Sequence, residues 1–192
     1  MRLFPSSLGS PITASSYDVF SLRNVVALVW QRTRLSLATL PSLRGWLETL
    51  GLFVVLAVPA YWLSTTGGWY SNPPSTDPVR WLHLFLAALV MPALIEEIIV
   101  RAWMVPHPSE DVTTQWRWSA ILGAIVLFVA LHPLNGWMRG GKTGALFMSA
   151  DFIFIVTLLA VTCHIAYQRT GSIWAPTLIH ALLVTCWGIL RG

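Results

Sequence analysis

The sequence predicts an all-α fold: a polytopic transmembrane helical bundle of about five spans, preceded by an interfacial amphipathic helix. Three observations lead there. Charged residues make up 10% of the 192-residue chain, against about 25% in a typical soluble domain. Hydrophobic residues make up 55%, with a mean hydropathy of +0.65. The apolar residues also fall into successive runs near the length of about 20 that crosses a bilayer, with tryptophans near their ends. Disordered, coiled-coil and ordinary soluble chains are excluded, and the length suits one domain.

Met1 to Ser16 is rich in Ser and Pro and lacks the apolar core of a signal peptide, so residues 1–18 are read as a flexible arm. In residues 19–45, the stretch Val19 to Leu40 mixes apolar residues with Arg23, Arg32 and Arg34. That charge density suits a helix lying in the interface with Trp30 as an anchor, ended by Pro41. Residues 46–78 hold the first span, Trp46 to Ser64, and a Gly/Pro/Ser-rich loop, Thr65–Asp77. Residues 79–190 hold four more spans. Trp81 to Val105 is closed by Pro106-His107-Pro108. Trp118 to Leu131 is the core of the next and extends toward Trp137. Leu146 to Tyr167 and Ile173 to Leu190 complete the set. Tryptophans 46, 62, 81, 103, 118, 137, 174 and 187 fall near run ends, the pattern of an aromatic belt.

The formal charge is +4, but Lys142 is the only lysine and the arginines are scattered. No basic patch interleaves with aromatics, which argues against nucleic acid as a partner. With five spans, one side of the membrane receives Arg2, Arg23, Arg32, Arg34, Arg44, Arg117 and Arg169, and the other Arg80, Arg139, Lys142 and Arg191. This bias places the N-terminus in the cytoplasm, in a plasma or other prokaryotic-type membrane. Cys163 and Cys186 lie inside apolar runs and form neither a CxxC pair nor a disulfide framework.

Ionisable groups inside spans are costly and are functional candidates by default. The second span contains Glu96-Glu97 followed by Arg101. Glu97 and Arg101 are four apart and share a helix face, whereas Glu96 is turned by about 100°. One carboxylate can therefore be neutralised by an ion pair. The other is left poorly solvated, which makes it a better proton acceptor. The bland alternative places both glutamates in one structural ion-pair network. His132 in the third span and His180 in the fifth are bundle-packing residues if taken singly. Together with the Glu pair they suggest three helices meeting at a polar cluster. His164 reads as a histidine near the interface, Asp151 faces either the bundle or the headgroups, and Asn135 reads as a cap for the turn after the third span. Asn135 or Asn72 as a hydrogen-bond donor to the site is the other option.

Glu96-Glu97-x-x-x-Arg101, Phe128-x-x-x-His132 and a last-span His180, led in by Gly171-Ser172-Ile173-Trp174-x-Pro176, resemble the EExxxR, FxxxH and HxxxN motifs of the CPBP family. This is the family of CAAX proteases and bacteriocin-processing enzymes, also called the Abi family. The likeness spans roughly Val79 to Leu190. It implies an intramembrane glutamate-dependent endopeptidase that needs no cofactor or metal and acts on a membrane-associated or lipidated peptide or protein. By the same likeness Glu96 activates water with help from His132, Glu97 with Arg101 braces the helix, and His180 stabilises the oxyanion. One position departs: the family asparagine falls on Val184, which has no donor. Losing such a donor costs about 2.7–4 kcal/mol of transition-state stabilisation, unless Thr185 or Asn135 substitutes.

Three other readings remain. Two histidines and a carboxylate could hold zinc, although the HExxH signature is absent. Val184 favours a non-proteolytic membrane adaptor, immunity or assembly factor with the same fold. A small proton-coupled carrier would use the same acids and histidines as a relay, but five spans leave little room for paired repeats.

Overall fold

A computed structural model describes residues 21–70 and 73–191; the expected flexible arm at 1–18 and Asn72 lie outside them. The described residues form seven helices and no strand. They are α1 (Leu22–Ala38), α2 (Leu43–Thr66), α3 (Pro78–Trp103), α4 (Thr114–Arg139), α5 (Gly141–Phe147), α6 (Ala150–Thr170) and α7 (Trp174–Leu190).

Most starts follow from local capping chemistry, because a helix N-terminus leaves backbone N–H groups needing acceptors. Ser42, Asp77, Thr113 and Ser149 accept from the N–H groups of Gly45, Val79, Trp116 and Phe152. At α7 the N–H of Trp174 donates to Ser172 Oγ at 3.2 Å. Gly171 ends α6 at φ +65°, left-handed backbone that glycine adopts freely.

Helices α2, α3, α4 and α6 are long and apolar enough to cross a membrane, while α7 is a 17-residue apolar helix. The protein is an integral membrane protein with the expected polytopic helical architecture. The exterior carries apolar side chains such as Val54, Val58, Leu86, Leu122 and Val126, as a lipid-facing surface requires. Helix α6 is the central one, with 56% of its apolar window buried against 22% for α2, α3 and α4. It packs on α2, α4 and α7. Its inner face supplies Ile155, Val156, Leu159, Ala160 and Cys163 to a core shared with Leu56, Val100, Ile121, Phe128 and Ile179.

Several boundaries differ from the sequence reading. The fourth span starts at Ala150, not Leu146: Leu146 and Phe147 close the separate helix α5, which Gly140 and Gly141 at φ +63° and +59° set off from α4, and Ser149 caps a new helix after the break at Met148. Helix α5 lies tightly on α4: a Cβ on Gly136 would stand 2.7 Å from that of Phe147. Asp151 is exposed in the first turn of α6, where its charge complements the helix dipole. Asn135 does not cap a turn, since α4 continues through Pro133 to Arg139. His164 is buried on α6. Trp187 turns inward against Phe147 and Phe152, so it is a packing residue and no belt anchor.

Helix α1 has an inverted face pattern. It buries Arg32 and Ser36 and exposes Leu22, Val25, Val26 and Trp30. Arg32 binds Glu110 through two hydrogen bonds, Nε to Oε1 at 2.7 Å and Nη2 to Oε2 at 2.6 Å. Ser36 pairs with the Tyr167 hydroxyl at 2.8 Å. Polar contacts thus tie α1 to the segment after α3 and to the end of α6.

Candidate active site

Helix α3 is irregular where the acidic pair lies. Met91 leaves helical geometry at φ −136°, ψ 115°, as expected for a residue preceding a proline. The helix resumes after Pro92, so that Ile95–Glu97 lies between this kink and a wide π-type turn at Ile98–Trp103. Such turns inside a helix mark functional sites often enough to draw attention to this one.

The two glutamates have different surroundings. Glu97 is fully buried. Arg101 Nη1 donates to its Oε1 at 3.2 Å, and Arg101 Nε lies 3.1 Å from Oε2. The guanidinium also donates to the Ala160 carbonyl at 3.0 Å, fastening α3 to α6. His180 Nδ1 meets Glu97 Oε1 at 2.9 Å. Glu96, by contrast, has a side chain 40% exposed and makes no hydrogen bond with the described residues; His180 Nε2 lies 3.9 Å from its Oε2. The spacing argument that separated the two carboxylates therefore describes their contacts. It lacked one partner: Glu97 holds the last-span histidine as well as the arginine.

The ring of Phe128 organises the remainder. It is buried on α4, with the Arg101 guanidinium 5.1 Å from its centroid. The His132 ring packs at 4.8 Å and the His180 ring stands edge-on at 5.9 Å. The Phe-x-x-x-His spacing has a second use. His132 Nδ1 lies 2.8 Å from the Phe128 carbonyl. A carbonyl only accepts, so Nδ1 carries the proton and Nε2 presents a lone pair. For His180, a carboxylate on Nδ1 fixes that proton in the same way and turns Nε2 toward Glu96.

Glu96, His132 and His180 line one cavity of about 760 Å³ between α2, α3, α4, α6 and α7. Its wall is mostly apolar, built from residues such as Phe53, Ala57, Leu159 and Trp187. Three distant stretches of chain thus supply one acid and two imidazoles to a single chamber within the bundle. Val184 lines it too, and so does Asn135. Thr185 does not serve as a replacement donor: it is buried and its Oγ1 donates to the Ala181 carbonyl at 2.7 Å. Among the described residues no group of three or more His, Cys, Asp or Glu side chains is placed to hold a metal ion.

Residues 78–186 match the family model described as type II CAAX prenyl endopeptidase Rce1-like. The chain belongs to this family. No curated protein and no solved structure matches it significantly. The matched segment of the Rce1-like chain runs from the start of α3 into the last turns of α7. It holds every polar group described around the chamber, and it agrees with the resemblance read from the three motifs. At the level of the family, the protein is a CAAX protease-like membrane endopeptidase.

Sequence reasoning missed Arg139 as a site residue. Its Nε donates to Asn135 Oδ1 at 2.9 Å, and it lines the same cavity. The signal was available: Phe128, His132, Asn135 and Arg139 recur at i, i+4, i+7 and i+11, one face of a helix.

Proposed function

We propose that the protein hydrolyses a peptide bond in a membrane-associated or lipidated protein, with Glu96 as the general base and without a metal ion. The observation that carries this reading is the shared chamber: a carboxylate with no hydrogen-bond partner facing an imidazole, in an apolar-walled cavity, within the matched family segment. Glu96 accepts a proton from water, and the resulting hydroxide oxygen attacks the scissile carbonyl carbon. His132 Nε2, the lone-pair nitrogen, accepts a hydrogen bond from the same water and positions it. The tetrahedral oxyanion lies at Nε2 of His180 and accepts a hydrogen bond from it. Glu96 then passes the proton to the leaving nitrogen, and the C–N bond breaks. Glu97 and Arg101 act through position: they fix α3 against α6 and hold the His180 ring.

Asn135 takes the place of the donor lost at Val184. Its Oδ1 is engaged by Arg139, which leaves its NH2 as the group available to the chamber. A prenylated cysteine as the substrate's lipid group follows from the family name and fits the apolar wall. The arginine bias of the sequence supports a cytoplasmic N-terminus in a prokaryotic-type membrane, and the outward apolar face of α1 supports its contact with lipid.

The test is cleavage of a quenched S-farnesylated peptide by purified protein in detergent. Glu96→Gln, His132→Ala and His180→Ala should each lower the rate by about 100-fold or more, with the protein still folded by thermal unfolding. Cleavage that survives Glu96→Gln rejects the assigned base. Loss of cleavage on chelation, restored by zinc, rejects the metal-free mechanism. The adaptor reading, which Val184 favours, gains if the folded wild type cleaves no peptide and Val184→Asn does not change that.

A further inference from the structure

The cavity has a cationic mark at one edge. Among the described residues, Arg139 is the only lysine or arginine in its lining. Its guanidinium is held on two sides, by the hydrogen bond from Nε to Asn135 Oδ1 at 2.9 Å and by the Phe147 ring 6.0 Å from its centre. Neither Nη1 nor Nη2 has a partner among the described residues. A guanidinium fixed through Nε and a ring face presents its two outer nitrogens as a fork, the geometry that matches a carboxylate. An anion entering a chamber with this apolar wall has to be paired with a cation.

Distance supplies the second argument. Arg139 follows His132 by seven residues on the cavity face of α4, which is about 10 Å of helical rise. Three residues of extended peptide span about the same length, 10–11 Å. A substrate whose scissile carbonyl sits beside His132 and Glu96, and whose chain runs along α4, therefore reaches Arg139 at its third residue past the cut. A C-terminal Cys-a-a-X sequence has three residues after the lipidated cysteine, and its last residue ends in a carboxylate.

We propose that Arg139 binds the free C-terminal carboxylate of the substrate and so sets the cut three residues from the chain end. This rests on the proteolytic reading above for the position of the cut, but the carboxylate contact itself can be read without catalysis.

The experiment uses the full chain and an S-farnesylated peptide with three residues after the modified cysteine, as free acid, as C-terminal amide, and extended by two residues. Wild type should cleave the free acid with kcat/KM about 10- to 100-fold above the amide and the extended peptide. Arg139→Gln should abolish the preference, so that this variant cleaves free acid and amide at one rate. Arg139→Lys should recover part of the preference, and Lys142→Gln, outside the cavity, should leave both rates unaltered. A role only in orienting Asn135 would slow acid and amide by one common factor. That result overturns the proposal, as does equal cleavage of acid and amide by wild type. Binding of the three-residue product, acid against amide, to Glu96→Gln protein separates the two claims. An Arg139-dependent preference for the acid in protein that never cleaves keeps the carboxylate site while removing the proteolytic reading. Equal binding of acid and amide removes the site itself.

Discussion

The two polar regions of this molecule are built on opposite plans. The buried polar groups of α1, Arg32 and Ser36, are matched within the protein. Arg32 and Glu110 form a two-bond pair, and the backbone N–H of His107 adds a third bond to Glu110 Oε1 at 2.8 Å. The His107 ring meets the Gly171 carbonyl at 2.9 Å. The N–H of Ile173 donates to the Ser36 carbonyl at 3.1 Å, and the Trp174 indole donates to that of Leu37 at 2.9 Å. In the chamber, one buried unit is held by charge and hydrogen bonds together: Glu97 Oε1 meets Arg101 and His180, and its Oε2 faces Arg101 Nε as an ion pair. The atoms beside it are unmatched among the described residues: Glu96, Nε2 of His132, the NH2 of Asn135 and the outer nitrogens of Arg139. Buried polar groups normally find partners because leaving them unmatched costs free energy. Glu96, His132 and Asn135 are half-buried and Arg139 is exposed at the cavity edge; on the proposed reading this unmatched set receives the ligand and the matched set holds it in place.

That contrast can be broken at its support. Arg101→Met leaves Glu97 buried without its cation, and removing one member of a buried pair costs about 3–5 kcal/mol. Thermal unfolding in detergent should show a large drop in midpoint, with activity lost alongside. A variant that unfolds like wild type would mean that Glu97 draws little from Arg101. Next, Asn135→Leu should reduce peptide cleavage by about 100-fold while leaving the unfolding midpoint nearly unchanged. Adding Val184→Asn to that variant should restore part of the rate, since it returns a donor to the same wall. Full activity in Asn135→Leu would remove Asn135 from the oxyanion site. The smallest effect belongs to the α1 region. Arg32→Met should lower stability by about 1–3 kcal/mol and leave kcat of the folded protein unchanged. A fall in kcat at constant stability would show that the matched region takes part in the chemistry.

How much of the site could be read from the chain depends on where its information lies. The Glu96/Glu97 division was legible because a helix converts spacing into facing, and both partners lie on α3. Asn135 was misread because proline close before it suggested a turn, whereas α4 runs on past Pro133. The fourth span was begun too early because Leu146 and Phe147 are as apolar as the residues after Ala150, and the break at Met148-Ser149 that divides them carries neither glycine nor proline. Trp187 was read as a belt residue because composition cannot say which way a ring near a helix end points.

The amino-acid sequence alone determined that this chain lies in a membrane, where its helices run and which of its residues are too polar for lipid. Each of those follows from local quantities: apolar length, helical period and the cost of a charge in hydrocarbon. Only the tertiary structure decided that Glu97 would also hold His180, that Phe128 would pack beside Arg101 and His180, and that Val184 and Asn135 would line one chamber. The Glu97–His180 and Phe128–His180 pairings join residues more than forty positions apart, on different helices. They depend on how helices pack against α6, which no spacing within a single helix encodes.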